Sequence, residues 1–145
     1  MDIRPILNKE QSEAMDLVWK VFSETEMLGY SKEAINAFRA FLHNENQIKQ
    51  LMIYGAFTDQ KLIGVLAIRN QKQIGLFFIT KEYQKKGIGR ALFDYWLSKS
   101  KVDTVTVNSA LFSVDFYRRL GFIPADSEQV REGVRYLPMI FQKQW

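Results

Sequence analysis

The chain has no cysteine, a single histidine and only three prolines in 145 residues. Without cysteine there is no disulfide framework, no thiolate nucleophile and no thiolate zinc site, and His43 alone cannot assemble a histidine-rich metal centre. A serine–histidine–acid triad would have to pass through His43, which lies in the polar stretch LHNENQ, and no G-x-S-x-G elbow occurs. Neither metal chemistry nor triad hydrolysis is therefore expected. No apolar run approaches the roughly 18 residues a bilayer span requires. The start, MDIRPILNKEQ, has neither a basic end nor an apolar core of the signal type. The expected location is cytoplasmic, with no membrane partner.

What the chain does have is material for a core: 47% of its residues are apolar. Its length fits one domain, residues 1–145, that buries a substantial interior. A net charge of +4 suits an anionic small ligand as well as a nucleic acid, so the placement of the charge matters more than its sum.

Along the chain, DIRPIL reads as an opening strand that Pro5 confines to an edge. Apolar residues at helical spacing predict a helix from Lys9 to about Met27, with Ser12 as N-cap and Gly29 as its end. Ser31 opens a second helix with Ala34, Ile35, Phe38, Phe41 and Leu42 on one stripe. The period then changes to that of strands. Leu51–Thr58 and Lys61–Ile68 form a hairpin across Asp59 and Gln60, and QIGLFFIT supplies a third strand, apolar on both faces as a central buried strand is. A helix from about Gly87 to Ser100, a strand Val102–Asn108 and a helix Ser113–Leu120 ending at Gly121 follow. Short strands at Phe122–Pro124 and Val134–Gln142 close the chain. The expected architecture is mixed α/β on a central sheet: strand, two helices, three-strand meander, helix, strand, helix, strands.

The stretch ITKEYQKKGIGRALF, Ile79–Phe93, places Gly87 and Gly89 between a strand and a helix, beside Lys85, Lys86 and Arg90. A helix start leaves N–H groups without partners and carries partial positive charge, so an anion is welcome there, and glycine lets the backbone approach it. A Walker A loop is absent, and a dinucleotide fingerprint fails because its third glycine position is Leu92. By these letters alone a plain strand-to-helix turn with solvated lysines remains an alternative.

Gln84-Lys85-Lys86-Gly87-Ile88-Gly89 resembles the acyl-CoA turn of the GCN5-related N-acetyltransferases (GNAT): Gln or Arg, two residues, Gly, one residue, Gly or Ala. VNSALFSVDFYRRLGF, Val107–Phe122, is similar to that family's later segment, in which an asparagine ends a strand and a helix carries Phe-Tyr before Leu-Gly-Phe. Lys81 departs from the proline common at its position. The resemblance implies a GNAT-like sheet splayed at the cofactor site and an acetyl-CoA co-substrate. It also implies transfer of the acetyl group to a primary amine by direct attack, without a metal.

In that reading the N–H groups of Lys85, Lys86, Gly87, Ile88, Gly89 and Arg90 cradle the pyrophosphate, and Gln84 shapes the turn. Phe77, Phe78 and Ile79 lie along the pantetheine arm, although Phe-Phe-Ile is also ordinary core. Asn108 contacts the pantetheine or its surroundings, or else is a turn residue. Tyr117 is the general acid for the leaving thiolate, or a core tyrosine. The strand Ile74–Thr80 lacks the carboxylate that some relatives place there, so the base is open. Glu24 and Glu26, between the first two helices, are candidates to bind or deprotonate the amine.

The acceptor is a small-molecule or peptide amine, with the first two helices and the loop Pro124–Arg131 shaping its pocket. Two other classes stand beside this one: a catalytically silent acyl-CoA sensor, and nucleic-acid binding through Lys85, Lys86, Arg90, Arg118 and Arg119. The aromatics fall on apolar stripes, which speaks for core over base stacking, and no nucleic-acid partner is expected. An edge strand such as Val134–Gln142 would offer a surface for a homodimer.

Overall fold

A computed structural model of the chain describes residues 1–144. β1 (Asp2–Pro5) is followed by a tight turn at Asn8–Glu10 and by α1 (Gln11–Thr25). Then come α2 (Lys32–Leu42), α3 (Glu45–Ile48), β2 (Met52–Thr58), β3 (Lys61–Arg69) and β4 (Gln73–Ile79). The second half is α4 (Ile88–Lys99), β5 (Thr104–Ala110), α5 (Val114–Leu120), β6 (Ile123–Pro124), β7 (Gln129–Arg131) and β8 (Val134–Gln142). The strands form one 8-stranded mixed sheet in the order β1-β2-β3-β4-β5-β8-β6, with β7 also on β8. No helix among the described residues is long and apolar enough to cross a membrane.

Helices cover both faces of the sheet. On one, α1 buries Ala14, Met15, Leu17, Val18, Val21 and Phe22 against β3 and β4. Removing a side chain such as Phe22 from water stabilises by roughly 1.5–3 kcal/mol. α2 lies over α1, its Phe38 ring 4.6 Å from Phe22 and 6.4 Å from Phe78. On the other face Leu92, Phe93 and Trp96 of α4 share a core with Tyr117, Leu120 and Phe122.

The meander turns as its two-residue loop requires. Asp59 and Gln60 both take positive φ, 49° and 67°, the mirror-image turn that matches strand twist. Ser31 caps α2, its Oγ accepting from Ala34 N–H at 3.1 Å.

Several boundaries differ from the sequence expectation. Ser12 lies inside α1, because the tight turn before it, closed by Glu10 accepting from Leu7 N–H at 2.9 Å, already brings the chain into the helix. α1 stops at Thr25, and a separate tight turn covers Met27–Gly29. β5 begins and ends two residues later than expected, so Asn108 is interior to the strand, opposite Pro138. β8 has the expected bounds but is not an edge. β5 pairs with one of its sides, while β7 (Val130↔Arg135) and β6 (Ile123↔Ile140) cover part of the other, so both of its sides carry strand partners. α3 and β7 are additional elements, too short to carry a period.

Candidate active site

β4 and β5 run parallel but share only Gln73↔Thr106 and Ile74↔Val107. Beyond that point β4 stays with β3 and β5 stays with β8, so the strands part and the β4 edge from Gly75 to Ile79 has no ladder partner on that side. An open edge of this kind is a row of backbone donors and acceptors. A bulge contributes. Ala67↔Leu76 is followed by Ile68↔Ile74, leaving Gly75 as the extra residue on β4, and bulges add local bend and twist.

The opening explains the burial along β4, where Ile74, Leu76 and Phe78 are buried while Phe77 and Ile79 are half-buried. The strand is central, yet Phe77 and Ile79 border the cleft as well as the core formed with α4 and α5.

At the end of β4 the chain is tied back before it turns. Thr80 N–H donates to Ile63 C=O, and the Gln84 side-chain amide donates to Ile79 C=O, each at 2.9 Å. Lys85 (φ 63°) and Gly87 (φ 84°) then take left-handed backbone, and helical bonding begins with Ala91 N–H donating to Gly87 C=O at 3.0 Å. The N–H groups of Ile88, Gly89 and Arg90 thus precede the first helical bond, in a concave turn suited to an anion.

The two glycines serve different needs. A Cβ on Gly87 would meet nothing within 4 Å, so its positive φ is what requires glycine. A Cβ on Gly89 would lie 2.8 Å from Phe116 Cζ, so that glycine is required by the packing of α5 on α4. The Arg90 guanidinium donates to the Arg119 backbone carbonyl and ties the same two helices together. Lys86 Nζ sits 5.6 Å from the Tyr83 ring centroid.

The cleft between these elements has a volume of about 780 Å³. Phe77, Phe78, Ile79, Gln84, Lys85, Gly87, Ile88, Gly89 and Arg90 line it, and so does Glu26 at the end of α1. Lys86 and Asn108 are not among its lining residues; Asn108 is exposed on β5, just past the last β4–β5 pair. Glu24 is exposed and also outside the lining, since two residues along a helix turn a side chain well over a right angle away from its neighbour.

Glu26 is half-buried, and burial raises its carboxyl to about 7 against the lowering effect of a hydrogen bond from the Tyr30 hydroxyl at 3.4 Å. Burial and the Glu26 charge push Tyr30 up to about 12. Tyr117 lies beneath the lining, 6% exposed, with ring centroids of Phe116, Phe122 and Phe77 at 5.2, 5.4 and 6.2 Å. Burial first, and the Glu26 charge second, hold its hydroxyl well above the ordinary phenol range.

Phe112 and Ser113, just before α5, and Asp115, Phe116 and Arg119 on it line the cleft without having been anticipated, because the approach of this segment to Gly89 and Phe77 is tertiary. The second helix and the loop Pro124–Arg131, expected to shape an acceptor pocket, do not line it. Trp19 lines a separate hollow of about 300 Å³ between α1 and the α2–α3 region, with Arg39 over its ring at 5.0 Å.

A family model described as an acetyltransferase (GNAT) domain matches residues 25–143. No curated protein matches the chain by sequence. Among solved structures, a GCN5-related N-acetyltransferase from Rhodopseudomonas palustris is similar with a TM-score of 0.83 and 14% identity, covering 97% of this chain and 94% of that one. PaiA N-acetyltransferase from Thermoplasma acidophilum, in complex with coenzyme A, gives 0.79 and 19%, covering 97% and 98%. An aminoglycoside 6'-N-acetyltransferase, also complexed with coenzyme A, gives 0.65 and 12%, covering 98% and 97%. At such identities the likeness is one of fold.

Proposed function

The chain belongs to the GNAT acetyltransferase family, and on that premise we propose that it transfers the acetyl group of acetyl-CoA to a primary amine by direct attack of the amine. The observation that carries this reading is the continuity of the cleft. An unpaired strand edge runs into a turn with free N–H groups and nearby cations, and a half-buried carboxyl stands on the facing helix.

The residues present suit the co-substrate. The turn offers N–H donors at a helix start for a pyrophosphate, with Lys85 and Arg90 adding positive charge. The β4 edge from Gly75 to Ile79 offers amide donors and acceptors to an extended arm, in the manner of an added strand. Bound acetyl-CoA supplies an activated acyl carbon, whose bond to sulfur breaks as the bond to the amine nitrogen forms.

Glu26 is the base of this reading. A carboxyl poised near 7 can hold an ammonium as its counter-ion and take a proton from it, since proton transfer is efficient when the base titrates near the working pH. Tyr117 keeps its proton across the physiological range and would act by offering its O–H toward the leaving sulfur. Glu24 is exposed and outside the cleft lining, and this reading gives it no role. Asn108, where the strands part, would reach the arm from the β5 side.

Acetyl-CoA should raise the melting temperature of the wild type and of Tyr117→Phe, but not of Gly89→Glu, and amine acetylation should follow in the wild type. A folded wild type with no shift would refute the proposal. Binding without turnover of any amine would instead favour a silent acyl-CoA sensor.

A further inference from the structure

The half of the sheet that carries β5, β8 and β6 is covered on one face only. Side chains alternate along a strand, and Val105, Val107, Leu137, Met139 and Phe141 point into the core under α4 and α5. Thr106, Asn108, Ala110, Tyr136, Pro138 and Ile140 therefore point to the opposite face, the one on which α1 packs over β3 and β4. The apolar core on that face takes nothing from β5, β6, β7 or β8. Ile123, opposite Ile140, extends the uncovered area onto β6 and is 63% exposed. Only its far end is closed, where the β7–β8 turn meets the N-cap of α2 and a Cβ on Gly133 would lie 3.4 Å from Ser31 Oγ.

A quarter of the chain is charged, yet none of these residues is. Charge begins at the margins, with Arg69, across Gln73 from Thr106 and over the Phe41 ring at 5.8 Å, and with Arg131, opposite Val134 on β7. On a chain of net charge +4, an uncharged and partly apolar face lets two copies meet without setting like charges together. Its shape suits a second copy as well. The helical layer beside it is about 10 Å thick, and two sheets packed face to face also stand about 10 Å apart. The step from covered to uncovered sheet is thus complementary to itself when turned about a twofold axis along β8.

From this arrangement we infer that the chain forms a symmetric homodimer through the open β5–β8–β6 face. The inference goes beyond the transferase reading and does not depend on it. In the dimer Pro138 and Ile140 pack on their counterparts, Thr106 meets Ile123 of the partner subunit, and each helical layer abuts the partner's β6 edge. The interface reaches Asn108, so it borders the point where β4 and β5 part. Three strands ~4.8 Å apart, with β5 running 7 residues, give the open face a span of about 14 Å by 24 Å. That is somewhat under half of the ~800 Å² per partner of a standard interface. The helical layers enlarge the contact, and a dissociation constant on the order of 10 µM is expected.

Sedimentation equilibrium of the whole chain from about 1 to 300 µM tests this. The wild type should pass from monomer to dimer. Ile140→Glu and Ile140→Lys should each raise the dissociation constant about 100-fold or more, because like charges then face each other on the axis. An equal mixture of those two should sediment as a dimer again. Ile123→Glu, at an exposed position outside both cores, should weaken association without unfolding the chain, whereas Met52→Glu, 51% exposed and on the covered half of the sheet, should associate like the wild type. Far-UV circular dichroism at low concentration checks that each variant is folded.

A wild type that stays monomeric at the highest concentration overturns the inference. So does a dimer that Ile123→Glu and the folded Ile140 variants leave intact, or one that Met52→Glu dissociates while they do not. Folded Ile140→Glu and Ile140→Lys chains that fail to associate with each other overturn the twofold along β8.

Discussion

Replacing Glu26 by glutamine should make the protein more stable and less active at the same time. The carboxyl titrates at about 7 instead of its ordinary 4.5, chiefly because burial disfavours its charge. Below the unfolded value the group is protonated in both states and costs nothing. As pH rises through the folded value it must ionise in place, and the stability present at low pH is lost. The displacement corresponds to about 3 kcal/mol, an upper figure for a half-buried side chain.

Glutamine has the same shape, can accept from Tyr30, and never ionises. At pH 8 the variant should therefore melt several degrees above the wild type, at roughly 2–4 °C per kcal/mol for a chain near this size. Below about pH 4, under the unfolded value of 4.5, the two should nearly coincide. Activity should move the other way. General-base catalysis contributes on the order of 10²–10⁴-fold, so kcat/KM should fall within that range. The wild-type profile should rise to a plateau above about 7 as the carboxyl ionises. The variant, lacking a base, should instead keep climbing toward the amine's own pKa near ~10 as free amine accumulates. Differential scanning calorimetry and a pH series of initial rates test both halves. A limb near 7 that persists in the variant, or a variant less stable than wild type at pH 8, would refute the reasoning.

Tyr117→Phe keeps the ring packed among Phe77, Phe116 and Phe122, so its melting temperature should stay close to wild type. Its kcat should fall at least ~10-fold if the hydroxyl serves the leaving sulfur, and unchanged kcat with unchanged stability would make Tyr117 a packing residue only. Gly89→Ala should cost about 1–3 kcal/mol by overpacking and weaken acetyl-CoA binding, because the new Cβ falls 2.8 Å from Phe116; adding Phe116→Leu should recover much of the stability. Gly87→Ala should cost about 1–2 kcal/mol through its left-handed backbone, with no recovery from any packing change, since nothing lies within 4 Å of the new atom. Asn108→Ala, at an exposed side chain, should leave the melting temperature within about 1 °C of wild type and raise the KM for acetyl-CoA if the side chain reaches the arm.

Local chemistry was readable at particular points. Ser31 caps α2 because a hydroxyl before an apolar stripe meets the N–H of the third helical residue, a relation contained in four consecutive letters. Asp59-Gln60 turns because two flanking strands leave a two-residue loop no other geometry. Gln84, the first residue of the six-residue turn that resembles the family's own, folds back on Ile79 five residues earlier. The sheet order was harder. β8 carries an edge-like Pro138, yet β6 and β7 pair along it: the strand expected at Phe122–Pro124 gave no sign of its partner, and the three residues of β7 have too little pattern to be seen.

The sequence by itself determined the element types, the meander, the glycine turn and its charge, since each depends on residues a few positions apart. The family resemblance rests on the same short-range letters. Only the tertiary structure decided which of two glutamates enters the cleft, why Gly89 has no side chain, and that Tyr117 lies buried under the charge of Glu26. Those outcomes depend on α1, β4, α4 and α5 meeting across long separations in the chain. A burial-driven pKa, an approach of 2.8 Å between Phe116 and the Cβ position of Gly89, or a parted pair of strands is a property of that meeting and of no single segment.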